Sequence, residues 1–230
     1  MRLVTITLAV AGLAITFRWP LIGAVLIAPM LIATLRPNVE WLGPVVSRFK
    51  TDRNEVWLTI DDGPTDDTTA ILDLLDRLGV RGTFFVKGIH AAAHPERIRE
   101  ILARGHTVGN HSHTHPAGTF WCLPPHAIAR EIDRCTAVIP PTTLFRAPVG
   151  LKNLFVHPAL RERGMQLIGF SSRAFDAVER DPDVIAARIV KSIDRGGIIV
   201  LHQGREWSLR AIEKTIDAVR ARGYAFVIPF

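Results

Sequence analysis

The chain has 230 residues, 28 of them basic and 22 acidic, for a net charge of +6, with 48% apolar residues and a mean hydropathy of +0.20. This composition excludes intrinsic disorder, and a count of two cysteines excludes a disulfide-stapled miniprotein. The length allows one large domain or two small ones, and the diffuse basic excess, with no Arg/Lys stripe interleaved with aromatics, suits an anionic surface and argues against nucleic acid.

The apolar excess is local. Residues 1–45 hold only Arg2, Arg18, Arg36 and Glu40 as charges, a net +2. Leu3 to Phe17 and Leu21 to Leu35 are apolar runs of fifteen residues each, separated by Arg18-Trp19-Pro20. As a helix each would extend roughly 22 Å, short of a hydrocarbon core of roughly 30 Å. Three arrangements compete: a hairpin of two short helices with Trp19 at the interface, a single tilted anchor, and a signal peptide followed by an apolar stretch. The hairpin ranks first. The cleaved signal ranks last, because a second apolar run follows at once and Arg18 and Trp19 stand where a signal protease favours small residues. The expectation is a membrane-anchored protein of the bacterial inner-membrane type. Arg36, Arg48, Lys50 and Arg53 put the soluble part inside under the positive-inside rule, whereas an ordinary signal anchor puts it outside, so sidedness stays open.

Residues 1–45 are thus read as anchor and linker, with Pro37 to Pro44 as the connecting stretch, and 46–230 as one domain. There, β-rich runs alternate with helical patterns. Strands are predicted at Val56–Ile60, Thr83–Val86, Thr107–Gly109, Thr143–Arg146, Gln166–Phe170, Ile198–Leu201 and Ala225–Ile228. The clearest helix runs from Asp66 to Leu78, with Ile71, Leu74, Leu75 and Leu78 on one face and Gly79 as its stop. Another starts at Asp181-Pro182, an N-cap followed by proline at the first helical position, and a last one runs from about Ser208 to Arg222. Cys135 continues the apolar row Ile128, Ile132 and Ile139 of a further helix, which suggests a buried thiol, although a disulfide with Cys122 stays open. Such alternation predicts an α/β fold with parallel strands, an incomplete or distorted (β/α) barrel of about seven strands.

Chemically capable residues follow the strand ends. Asp61-Asp62 follow the first strand, His111, His113 and His115 the third, Arg146 ends the fourth, Asp176 trails the fifth and His202 ends the sixth. In parallel barrels the carboxyl ends of the strands converge on one rim. Two histidines and a carboxylate there form a metal set that leaves positions open for water and substrate, as a catalytic site requires. His111 and His115, four apart, point the same way on a helical turn, while His113 points away as a supporting or surface residue. Adjacent carboxylates suggest divided labour, one binding a cation and the other free to take a proton, though a turn or cap explains them too. Arg146 aims a guanidinium into the rim where it can hold a carboxylate. His202, closing an apolar strand, is either a satisfied core residue or a general acid.

From about Glu55 to Phe230 the chain resembles the polysaccharide deacetylases with a NodB-homology domain, carbohydrate esterase family four. The motifs carrying the resemblance are Thr59-Ile60-Asp61-Asp62-Gly63-Pro64, Thr83-Phe84-Phe85-Val86, Gly109-Asn110-His111-Ser112-His113-Thr114-His115-Pro116, Arg146-Ala147-Pro148, Asp176 and Val200-Leu201-His202. The resemblance implies that Asp61 is the catalytic base, that Asp62, His111 and His115 bind a divalent metal, usually zinc, and that His202 is the general acid. It implies that Arg146 orients Asp61, that Asp176 supports His202, and that a backbone N–H near Val149 helps hold the oxyanion. The implied reaction attacks an N-acyl group with a water activated by the metal and Asp61, releasing a free amino sugar and a small carboxylate.

The family pattern is not complete. Val149 stands where an aromatic is usual, Ala177 where a tryptophan is frequent, Val200 where leucine is expected and Gln203 where an acid is common. No proposed ligand or acid/base group is lost, so activity is expected with altered walls around sugar and acyl group, Val149 and Val200 among them. The expected function is removal of an N-acyl group, most often acetyl, from an amino sugar of an envelope glycan. Deacylation or deformylation of a lipid-linked amino sugar at the membrane lipid is one alternative. A non-catalytic, membrane-anchored glycan-binding module is the other.

Overall fold

In the computed structural model residues 20–229 are described, with side chains from residue 27 onward. Nine strands form one sheet: β1 (Val45–Val46), β2 (Glu55–Gly63), β3 (Thr83–Val86), β4 (Thr107–Asn110), β5 (Leu144–Phe145), β6 (Gln166–Ile168), β7 (Ser172–Arg173), β8 (Gly197–His202) and β9 (Ala225–Phe226). The order is β1-β6-β5-β4-β3-β2-β8-β7, with β9 added to the start of β2, and every strand pairing is parallel. The predicted seven strands are all present, some shorter, and β1 and β7 are additional.

The sheet curls because one stretch of chain serves both of its ends. Residues 166–173 pair with β5 through β6 and with β8 through β7. Where that stretch turns from one neighbour to the other, the segment from Val45 to Phe49 fills the wedge. β1 pairs with β6, Arg48 bridges to Gly197, and the Phe49 N–H donates to the Gly196 carbonyl. Pro37 to Pro44, read as a linker, is therefore partly built into the barrel: Asn38 both donates to and accepts from the backbone of Phe170.

Eight helices are described: α1 (Pro20–Leu35), α2 (Thr68–Leu78), α3 (Gly88–Ala93), α4 (Pro95–Ala103), α5 (Pro125–Thr136), α6 (Val156–Arg161), α7 (Pro182–Ser192) and α8 (Ser208–Ala221). Gly79 stops α2 in left-handed backbone, φ +59, and the Asp181 carboxylate accepts from Asp183 N–H to cap α7. Cys135 is buried on α5, as its apolar row predicted, and burial pushes its thiol up to about 12; both cysteines are free.

Of the anchor, the run Leu3 to Phe17 lies outside the described residues. The second run is α1, of 16 residues with Pro29 inside it, and no helix among the described residues is long and apolar enough to cross a membrane. The expected transmembrane helix is corrected to that extent: α1 is about 24 Å long at 1.5 Å per residue.

Strand alternation decides which side chains meet. On β2, Val56, Leu58 and Ile60 face the helices and pack with Ile71, Leu72 and Leu75 of α2, while Trp57 faces inward with Phe85, Ile198 and Val200. Each fully buried aliphatic contributes roughly 1.5–3 kcal/mol of burial free energy. Trp57 Nε1 donates to Thr83 Oγ1 at 2.8 Å, and Thr83 Oγ1 lies 2.7 Å from Thr107 Oγ1, forming a polar floor. The same inward rows end at the carboxyl mouth in Asp61 on β2, His202 on β8, His111 just beyond β4 and Arg146 just beyond β5. Asp61 and His202 are register partners on adjacent strands.

Candidate active site

A regular strand would send Asp61 and Asp62 to opposite faces. The pairing register of β2 shifts between Asp61 and Gly63, and Asp62 takes a positive φ of +77. This bulge turns both carboxylates to the mouth, at a backbone cost of about 1–3 kcal/mol. Asp62 Oδ1 then lies 3.8 Å from His111 Nε2 and 3.5 Å from His115 Nε2.

The histidines converge by a different route from the predicted helical turn. The chain leaves β4 in an irregular loop in which Ser112 (φ +64) and His115 (φ +53) are left-handed. The imidazole centroids of His111 and His115 end 4.6 Å apart. His111 Nδ1 is 2.9 Å from the Arg146 carbonyl and so carries the proton, leaving the Nε2 lone pair toward Asp62. His113 is buried outside this cluster, its ring against Gly88 and its backbone N–H donating to Glu131.

A divalent cation fits this donor set. The ligand atoms of Asp62, His111 and His115 lie within 4.8 Å of one another, and buried Asp62 Oδ1 accepts no hydrogen bond. Burial pushes both imidazoles down, His115 to about 3, so they are neutral and competent to ligate. Burial opposes ionisation of Asp62, but His111, Lys87 and His115 outweigh it and lower its carboxyl to about 2.

Asp61 is gripped from below. Arg146, 1% exposed, donates through one terminal nitrogen to Asp61 Oδ1 and to Thr59 Oγ1, both at 2.7 Å. Its other nitrogens donate to the Ile168 and Gly169 carbonyls, where residues 166–173 leave β5, and its guanidinium stacks 4.2 Å above the Phe85 ring. Asp61 Oδ2 faces the mouth, 3.7 Å from His111 Nε2.

Asp176 holds His202 twice: Oδ1 is 2.9 Å from His202 Nδ1, and Oδ2 accepts the His202 backbone N–H at 2.7 Å. Trp207 Nε1 in turn donates to the Asp176 carbonyl. Burial alone would lower the His202 pKa; the hydrogen bond and charge of Asp176, with Asp61 and Asp62 beyond, outweigh it and raise it. Raised above the unfolded value of about 6.5, the imidazolium contributes stability in full below about pH 6.5 and loses it as pH rises through the folded value. Replacing Asp176 by Asn should lower the His202 pKa, read by NMR titration of the imidazole. An unchanged titration would detach Asp176 from this role.

The remaining predicted positions separate. Val149 stands exposed on the rim in left-handed backbone, φ +49, whereas Val200 lies inside the barrel one inward step below His202. Gln203, at the family's acidic position, is buried, and its Oε1 accepts from Thr65 and Thr68, tying the turn after Asp62 to β8. Two charged residues near the aspartates went unread in the sequence. Lys87 Nζ lies 3.1 Å from Asp62 Oδ1, and Arg173, stacked on Phe175, adds a second cation that feels Asp61 and Asp176. Lys87 did carry a signal, a charge ending the apolar strand Thr83–Val86, the same signal that marked Arg146.

The model of the polysaccharide deacetylase family matches residues 48–168, more than half of the chain. The chitooligosaccharide deacetylase of Bradyrhizobium sp. is 32% identical over 189 residues, 74% of this chain and 86% of that relative. The chain belongs to the polysaccharide deacetylase family. The peptidoglycan-N-acetylglucosamine deacetylase PgdA of Listeria monocytogenes is 29% identical over 191 residues, 80% of this chain, and the chain spans 40% of PgdA's length. Among solved structures, the family 4 carbohydrate esterase from Streptomyces lividans in complex with acetate matches with a TM-score of 0.69 at 28% identity, covering 76% of this chain and 92% of that one. In this member of the family the region matched by the family model holds Asp61, Asp62, His111, His115 and Arg146 but ends before Asp176 and His202, whose place beside Asp61 the geometry gives.

Proposed function

We propose that the protein is a metal-dependent hydrolase that removes an N-acyl group, acetyl in the simplest case, from an amino sugar of a cell-envelope glycan. The observation that carries this reading is the convergence of ligand atoms of Asp62, His111 and His115 within 4.8 Å of one another, with Asp61 and His202 beside them. The names of the Bradyrhizobium and Listeria relatives support the N-acetylated amino sugar as substrate class.

Asp62, His111 and His115 would hold a divalent ion, zinc by the chemistry of two imidazoles and a carboxylate, and such an ion supplies Lewis acidity to a water and to the acyl oxygen. Asp61, its Oδ1 fixed by Arg146, takes a proton from the attacking water through Oδ2. The C–O bond forms and the amide C–N bond breaks. His202, its Nδ1 fixed by Asp176, donates from Nε2 to the departing amine, which is too poor a leaving group unprotonated. Val149, exposed on the rim, would line the wall of the acyl pocket.

One observation favours a lipid-linked amino sugar as the substrate. Lys152, just past the Pro148–Gly150 turn, donates from Nζ to the Arg36 and Pro37 carbonyls, both at 2.8 Å, so the end of apolar α1 is pinned beside the rim. Large apolar side chains stand exposed on α1 and on segments that follow strand ends, namely Ile89, Val149, Phe155, Phe175 and Val178. A lipid surface covering α1 would place the mouth near headgroups, with the protein held at the membrane by residues 1–35.

Acetate release from N-acetylated chitooligosaccharides tests the reading. Turnover should yield one free amine per acetate, stop on chelation and return with added Zn2+. Retained metal without turnover across N-acylated glycans would instead make the protein a glycan-binding module. The same assay with a lipid-linked N-acylated amino sugar in vesicles should give faster turnover; slower turnover there removes the lipid-linked substrate.

A further inference from the structure

Lys87 stands at the junction of the two segments that supply the cation ligands. Its backbone N–H donates to the Gly63 carbonyl, and the next two N–H groups, of Gly88 and Ile89, donate to the Ser112 and His113 carbonyls. Its main chain is thereby tied on one side to the Asp61-Asp62 bulge and on the other to the histidine loop. Gly88 permits this close approach, since a Cβ there would lie 2.4 Å from His113 Nδ1 and 2.8 Å from the Cys135 Cα. The ammonium has one ion-pair partner among the described residues, Asp62, and at 3.1 Å it is nearer to Oδ1 than either imidazole nitrogen. The pair is largely enclosed, with side-chain exposures of 19% for Lys87 and 13% for Asp62, so solvent screens it poorly.

We infer that Lys87 is a built-in counter-ion of the cation site, which neutralises Asp62 in the metal-free protein and lowers the affinity of the divalent ion that shares the same oxygen. The inference rests on the reading that Asp62, His111 and His115 take a divalent ion. Two physical effects act in the same direction. Like charges in an enclosed site repel, and the lysine gives up its carboxylate partner Asp62 when a cation takes Oδ1. The site therefore loads by exchange of one cation for another and discriminates against weakly bound divalent ions.

The test is equilibrium binding of Co2+ and Zn2+ to the metal-stripped full chain, measured by competition with a chromophoric chelator, for wild type, Lys87→Met, Lys87→Gln and Lys87→Arg. The neutral variants should bind at least about tenfold more tightly than wild type, while Lys87→Arg, which keeps the charge, stays near wild type. Thermal denaturation gives a second readout. Without metal the neutral variants should melt below wild type, because Asp62 is left buried and unpaired, and added Zn2+ should raise their Tm more than that of wild type. Equal or weaker binding by both neutral variants overturns the inference while leaving the metal site standing. Absence of binding by wild type and variants alike overturns the metal site itself.

Discussion

Replacing Arg146 by Met should lower stability by about 3–5 kcal/mol, the cost of breaking a buried ion pair from one side. For a chain of this size that corresponds to a fall in Tm of about 6–20 °C, at about 2–4 °C per kcal/mol. Methionine fills much of the volume above Phe85 but donates nothing. It leaves the Asp61 carboxylate buried with its charge unpaired and strips donors from the Ile168 and Gly169 carbonyls, which lie where β6 leaves β5. Arg146→Lys restores the charge without the planar fork and should recover only part of the loss. A change in Tm of less than about 2 °C would show that the barrel closes without the guanidinium.

Asp61→Asn should reduce kcat by about 10²–10⁴, the usual yield of a positioned general base, with KM and metal content nearly unchanged. The amide keeps the carboxylate's shape, and its oxygen can still accept from Arg146, so the fold and the neighbouring ligands have no reason to move. Asp62→Asn, one residue along, should behave differently. Its oxygen faces both imidazoles, and weakening it should cost metal affinity first and turnover as a consequence. Acetate release together with metal analysis of both variants separates the roles; equal loss of metal in the two would show that the aspartates are not divided between base and ligand.

Much of this site was legible because topology does the gathering. A parallel barrel brings strand ends together whatever the intervening sequence, so Asp61, His111, Arg146 and His202 were readable from position alone. The local geometry was not. Nothing in Asp61-Asp62-Gly63 announces that Asp62 adopts φ +77, yet without that bulge Asp62 points away from His111. The histidine loop was misread for the same reason: a spacing of four fits a helical turn, but left-handed Ser112 and His115 achieve the convergence instead. β1 and β7, two residues each, are too short to leave a periodicity and exist only because a neighbouring strand offers them partners. Lys152 carried no signal in the sequence; its complete burial follows from the carbonyls of Arg36 and Pro37 at the end of α1, to which it donates.

One mouth is to gather a divalent ion, a base and an acid. The most direct test is a crystal structure of the Co2+-loaded protein with anomalous diffraction at the cobalt edge. A single strong anomalous peak is expected about 2.0–2.2 Å from Asp62 and from the Nε2 atoms of His111 and His115, with Asp61 and His202 flanking it without ligating. A peak elsewhere, or none at these residues in metal-saturated protein, would contradict it.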